Sequence, residues 1–329
     1  MRNNPFDARR AKAGAILLSL LIGLPARADF SSSSRGATAA DFLQLGVGAR
    51  AVAMGEAYSA VADDATALYW NPAAMTQIKG GSMTLMHASY LESSYFEYGG
   101  YARNTGRGAV GMGLQYFSAG SITQTDAAGA ESGRFTPYDL AASLGYAHTF
   151  GGYAVGLSAK FIQSKILKTA KTGAVDVGLL SPSYFDGRLK VAFTATNIGG
   201  TMKFDQAKEK LPLMLRAGSA YRPSARWLLS LDTVMPRDDR PYAAAGAEYK
   251  LVQTEDKYAS RQFHGEGWSF AGRAGFNTQT LGGIDGFTGI SFGMGIDSGR
   301  YAMDYAFVPF GGVGQAHRLS LHYHFGEND

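Results

Sequence analysis

The sequence predicts an all-β protein, a membrane-spanning antiparallel β-barrel of about fourteen strands with an N-terminal plug segment. Three observations carry this. From Ser82 onward apolar and polar residues alternate with period two, segment after segment, which sorts each segment onto the two faces of a strand. Beyond the extreme N-terminus no stretch approaches the ~18 apolar residues of a transmembrane helix. A chain that enters lipid without such helices does so as a closed barrel, which also satisfies every backbone hydrogen bond. The composition agrees: 329 residues with 43 Gly, 18 Tyr, 19 Phe and no Cys suit strand packing and aromatic girdles, and exclude a disulfide framework or a thiolate metal site.

In chain order, residues 1–28 read as a signal peptide. Arg2, Arg9, Arg10 and Lys12 form a basic region, Ala13 to Leu24 an apolar one, and Ala26-Arg27-Ala28 a small-x-small cleavage site, so the mature chain is expected to begin at Asp29. This leader, with Arg27, holds five basic residues against one acid, Asp7. The formal +4 therefore belongs to the leader. The nearly neutral mature chain gives no reason to expect nucleic-acid binding.

Residues 29–81 precede the alternation and read as a plug inside the barrel, with a helical segment over 41–62 and a loop-rich stretch over 63–75. A bore of about fourteen strands is wide enough to need filling. Residues 82–329 form the barrel. Strands are predicted near 82–91, 94–103, 107–118, 136–149, 151–164, 172–183, 187–198, 211–222, 225–235, 240–251, 265–276, 286–297, 299–309 and 316–325.

The connections alternate in length. Asn104-Thr105-Gly106, Gly151-Gly152, Asp186-Gly187, Pro223-Ser224 and Asp297-Ser298-Gly299 are tight turns, whereas 119–135 and 199–210 are long. Outer-membrane barrels pair short periplasmic turns with long external loops, which predicts an outer-membrane protein with both termini periplasmic. The link at 252–264 is long for a turn, and the loop near Glu92 is short for an external one.

The residues of the plug region carry a resemblance. Phe42 to Ala51 reads FLQLGVGARA, Met54 to Tyr58 reads MGEAY, and Ala62 to Ala73 reads ADDATALYWNPA. This resembles the N-terminal signature of the PorV/PorQ family, a branch of FadL-like outer-membrane barrels. The middle strands (Leu211-Pro212-Leu213, Arg216-Ala217-Gly218, Gly246 to Tyr249) and the last ones (Asp304 to Phe307, His317 to Ser320) are similar too. The family commonly has Gly where this chain has Ala53 and Glu56. The resemblance implies a non-enzymatic accessory to protein export or surface attachment, of type IX secretion kind, with secretion-system or cargo proteins as partners. The FadL side of it implies passive uptake of a hydrophobic small molecule instead. Outer-membrane lipid is a partner on either reading, and no cofactor is expected.

Two sets of site residues follow. The plug motif comprises Gly46, Gly48, Arg50, Asp63, Asp64, Asn71, Pro72 and Ala73. A lumen charge ladder comprises Arg216, Asp232, Glu248, Arg273, Asp304 and Arg318, all at inward positions. Arg or Lys facing lipid at the midplane costs about 2–4 kcal/mol, so these charges must point inward and are expected to tie wall to plug, the alternative being a polar permeation path.

Other patterns are discounted. Gly46-x-Gly48-x-x-Ala51 lacks the βαβ unit of a dinucleotide site. Gly289-x-Ser291-x-Gly293 lies within a strand, not at a nucleophile elbow. A barrel phospholipase would need Ser and His on the outer face, and the C-terminal histidines are read as inward. His317, His322 and His324 lack a third nearby ligand for metal. Tyr90, Tyr95, Tyr116, Trp227, Trp268, Tyr301 and Tyr323 fall near strand ends and read as girdle residues; the FadL resemblance equally allows some of them to line an apolar ligand pocket.

Overall fold

The computed structural model describes residues 38–90, 93–126, 128–204, 207–252, 268–280 and 288–326. The predicted signal peptide, the loop position Glu92 and nearly all of the long link at 252–264 lie outside these residues.

In chain order the strands are β1 Gly81–Ser89, β2 Tyr95–Asn104, β3 Ala109–Ser118, β4 Ile122–Thr125, β5 Glu131–Phe135, β6 Tyr138–Phe150, β7 Tyr153–Lys165, β8 Thr169–Leu180 and β9 Leu189–Ile198. They continue with β10 Thr201–Phe204, β11 Ala207–Lys210, β12 Met214–Tyr221, β13 Trp227–Pro236, β14 Tyr242–Val252, β15 Ser269–Asn277, β16 Ile290–Asp297, β17 Tyr301–Pro309 and β18 Gln315–Phe325. Fourteen of these close into one antiparallel barrel, as the alternation predicts, with β1 paired to β18 from Gly81↔Phe325 to Ser89↔His317. The remaining four form two hairpins, β4–β5 and β10–β11, within the long connections.

Alternation builds the wall. Along β7 every second residue is buried and its neighbours are exposed. Leu85, Leu144 and Met294 stand 60%, 66% and 62% exposed on the outer face, while Ser158, Asp176, Ser230 and Ser320 are buried on the inner one. In water such a surface would be a liability. In lipid it is the expected one.

Aromatic side chains band both rims. At one end His87, Tyr95, Tyr116 and Tyr138 follow one another around the outside. At the other, Tyr101, Phe325, Tyr323 and Tyr301 do the same, and Trp227 packs on Tyr249. Trp268 is exposed near this second rim. Tyr90 departs from the girdle reading: it stands just past β1, and its ring lies under the Arg318 guanidinium at 5.2 Å.

The N-terminal segment packs against the inner faces of strands around the bore. A helical turn over Ala49–Ala53 contacts β15 to β18, and the 3₁₀ turn Pro72–Gln77 contacts β2, β3, β6, β7 and β8. The expected helix over 41–62 is reduced to a 3₁₀ turn, Asp41–Gln44, and that single helical turn. Conversely, Ala67–Trp70 and Pro72–Gln77 are helical within the stretch read as loop. Asn71 explains the second: its Oδ1 accepts the Ala73 N–H, with Pro72 at the first helical position.

The barrel has a loop end, carrying both hairpins, and a turn end, carrying the tight links. Thr38 pairs with Lys210 of β11 in a parallel bridge, which puts the start of the described chain at the loop end. Phe325 lies opposite Gly81 at the turn end. The two ends of the described chain are therefore on opposite rims; the expected mature N-terminus, Asp29, lies outside the described residues.

Candidate functional site

Most plug-motif residues make a specific polar contact, and Pro72 opens a 3₁₀ turn. The Gly46 carbonyl accepts from Arg318. Gly48, at φ +86°, donates its N–H to the Met86 sulfur at 3.0 Å. Arg50 donates to both Glu248 carboxylate oxygens, at 2.7 and 3.0 Å, and to Asp63 at 2.6 Å. Burial works to raise the Asp63 carboxyl, and the Arg50 and Arg222 guanidinium groups together more than offset it, so Asp63 sits below its ordinary pKa. Asp64 folds back onto the Thr66 N–H at 2.7 Å. Asn71 Nδ2 donates to the carbonyls of Ser59, at 3.0 Å, and of Leu179 on β8, at 3.1 Å. Gly156 and Gly178 make room there: a Cβ on either would lie within 2.2 Å of Ala73 N or Asn71 Oδ1.

The six ladder charges are all buried on the inner face, but they do not form one ladder. Arg216 faces Asp232 at 3.5 Å; it also donates to the Glu56 carbonyl, and Asp232 accepts the Ser59 N–H. A second group runs Arg50, Glu248, Arg273, Asp304, with contacts of 2.7, 2.7 and 2.6 Å. Arg273 on β15 reaches Asp304 on β17 by passing over β16. This is possible because Gly295 stands between them, where a Cβ would be 2.2 Å from Asp304 Oδ1. Arg318 stands apart, on Gly46 and the Tyr90 hydroxyl.

Sequence reasoning missed one inward cluster, and placed His322 and His324 inward without naming their partners. Lys160 on β7 contacts Asp176 of β8 and Asn197 Oδ1 of β9, both at 2.9 Å, where the β8–β9 register shifts between Val175 and Val177. The inward-charge rule, applied to β7 and β8, would have found it. His322 lies 3.1 Å from Asp304 and 3.0 Å from Thr84 Oγ1, with His324 stacked on it. His317, expected inward, is on the outer face against the Tyr305 hydroxyl at 2.7 Å. No group of three potential metal ligands occurs among the described residues. Ser291 donates to the Ala53 carbonyl and accepts the Gly55 N–H, so the Gly289-x-Ser291-x-Gly293 pattern serves to seat the N-terminal segment.

Two of the cavities lie at opposite ends of the barrel. One of about 490 Å³ at the loop end is lined largely by apolar side chains, among them Phe42, Leu45, Phe117, Pro137, Ile166 and Phe204. The other, about 290 Å³ at the turn end, is polar and includes Arg50, Asp63, Lys250, Asp304 and His324. They share no lining residue. Trp70 and Tyr58, both fully buried, stand in the chain of contacts between them: Trp70 donates to the Val47 carbonyl, and Tyr58 meets Trp70 edge-on and Arg50 face-on.

Comparison with known proteins adds sequence and fold relationships. The family model described as type IX secretion system protein PorV matches residues 31–223. A UPF0164 protein of Treponema pallidum (strain Nichols) is 24% identical over 260 residues, which is 71% of this chain and 61% of that protein. The matched region thus spans about three-fifths of that relative's length. Among solved structures, the Pseudomonas putida toluene transporter TodX superposes with a TM-score of 0.53 at 13% identity, over 84% of this chain and 96% of that one. The Ralstonia pickettii toluene transporter TbuX gives 0.54 at 13%, over 85% and 99%. A Pseudomonas aeruginosa FadL homologue gives 0.52 at 10%, over 85% and 98%. At these identities the likeness establishes the barrel fold.

Proposed function

The chain belongs to the PorV family, and from that premise we propose that it resides in the outer membrane and acts as an accessory to protein export or surface attachment. The observation that carries this reading is the occupied bore. Residues 38–78 are seated on the wall by Arg50–Glu248, Arg216–Glu56, Arg318–Gly46, Asp232–Ser59 and Asn71–Leu179. We read this segment as a fixed plug, and the charged inner residues as its anchors. A barrel so filled works through its rims and outer wall, by contact with other proteins. Secretion-system components or secreted cargo are the partners this role requires.

The apolar cavity at the loop end favours a second reading, passive uptake of a hydrophobic molecule. Native mass spectrometry of the protein extracted gently from its own membranes separates the two. The export role predicts a co-purifying protein at fixed stoichiometry. A solitary barrel carrying a fatty acid or another apolar molecule would overturn it in favour of uptake.

A further inference from the structure

The outer wall carries a cluster that the export role does not use. His87 and Ser89 both point outward from β1 and are exposed. His87 Nδ1 lies 2.8 Å from Glu97 Oε1 on β2, at a directly opposed position. This leaves Nε2 free. Ser89 lies two residues on, about 7 Å along the same strand face, and side chains in strands lean along the strand direction. Directly across from Ser89 on β18 stands His317. His317 Nδ1 lies 2.7 Å from the Tyr305 hydroxyl; with that hydroxyl as the donor, the His317 proton sits on Nε2.

We propose that Ser89, His87 and Glu97 form a lipid-facing serine hydrolase triad that cleaves acyl esters of membrane glycerolipids, with His317 as oxyanion donor. Nucleophile, base and carboxylate orienter are the recurring parts of such a site, and a positioned imidazole N–H is a suitable electrophilic stabiliser. The depth fits the substrate. Tyr95, Tyr116 and Tyr138 mark the interfacial belt at this rim, the level at which glycerolipid ester bonds lie. Below it the surface is apolar, with Met83, Leu85, Leu319 and Leu321 exposed. The activity lies beyond the export role and departs from the sequence expectation of no catalysis.

In the reaction Ser89 Oγ attacks the ester carbonyl while His87 Nε2 takes the hydroxyl proton. The Oγ–C bond forms, the C–O bond to glycerol breaks, and the alcohol leaves with the proton from His87. Water then adds to the acyl-serine, His87 again taking a proton; the C–Oγ bond breaks, His87 returns the proton to Ser89 Oγ, and the free fatty acid departs. Glu97 acts through His87 as a positioning residue.

The proposal rests on the wall facing lipid, so the test reads the triad and the membrane placement separately. The full chain, recovered from the outer-membrane fraction, is treated with a fluorophosphonate probe and assayed on dioleoyl phosphatidylcholine in mixed micelles. Expected are a probe adduct mapped to Ser89 and fatty-acid release. Ser89→Ala and His87→Ala each lower release by about 10³-fold or more. His317→Ala lowers it by roughly 10²-fold. Glu97→Gln lowers kcat by about 10²–10⁴-fold with KM unchanged, a split that a merely structural role would not give, and Glu97→Asp restores part of it. Heat-modifiable migration on gels checks that each variant remains a barrel. No adduct at Ser89, an adduct without ester hydrolysis, or hydrolysis unchanged by Ser89→Ala overturns the triad and leaves the export role standing. Absence of the chain from the outer-membrane fraction overturns the placement itself.

Discussion

Two carboxylates in this protein have almost the same geometry and very different consequences. Glu97 lies 2.8 Å from His87, half exposed on the outer wall, whereas Glu248 lies 2.7 Å from both Arg50 and Arg273 with its side chain 1% exposed. An exposed pair contributes about 0–1 kcal/mol. Breaking a buried one strands the remaining charges and costs about 3–5 kcal/mol. Glu248→Ala is therefore expected to destabilise the barrel by that larger amount, and Glu97→Ala to leave stability unchanged. Urea unfolding in lipid vesicles, followed by tryptophan fluorescence, measures both, and equal effects would contradict the assignment of the two environments. The inward direction of Glu248, Arg273 and Asp304 was legible in the sequence, because a charge on the lipid face is expensive. Their connectivity was not. Arg273 skips a strand to reach Asp304 over Gly295, a contact that depends on register and on one absent side chain. The outer cluster was missed for a related reason: His87 and Glu97 are ten residues apart, and only the β1–β2 pairing sets them opposite each other.

At the scale of elements, the strands were legible and the segment inside them was not. Period two repeats over many residues and sums to a strong signal, so each barrel strand lies within a few residues of its prediction. The N-terminal segment has no such period. Its turns are short and rich in alanine, and they are fixed by contacts with the wall, as where Asn71 caps Pro72–Gln77 and bonds across to Leu179. β15 gives a test of that seating. Gly275 faces inward, where a Cβ would lie 1.9 Å from Gly55 N, whereas Gly272 has nothing within 4 Å of its would-be Cβ. Gly275→Ala is expected to push the Ala49–Ala53 turn off the wall, and Gly272→Ala, three residues away, to do nothing. Steady ion conductance in planar bilayers reads the difference, as an increase for Gly275→Ala alone. Conductance unchanged in both would mean that this contact does not hold the bore closed.

At the scale of the whole molecule, the barrel's asymmetry fixes how it should sit. Both hairpins, the apolar cavity and Thr38 are at one end. The tight turns and the polar cavity are at the other. On the proposed outer-membrane placement, short turns face the periplasm, which predicts the hairpins outside the cell and the Ser89 cluster in the outer leaflet. The chain has no cysteine, so a single introduced one reports its own side. Thr123 on β4 and Arg107 in the β2–β3 turn are both exposed, and neither is an anchor of the N-terminal segment. Thr123→Cys is expected to react with a membrane-impermeant maleimide on intact cells. Arg107→Cys should react only once the outer membrane is permeabilised. The reverse pattern would turn the molecule over: the apolar cavity would open to the periplasm and His87, Ser89 and Glu97 would meet inner-leaflet lipid. Export partners would then have to engage the hairpins from within the cell envelope, and a ligand from outside would meet the polar cavity first. The labelling result therefore decides which cavity an external molecule encounters and which leaflet supplies the ester.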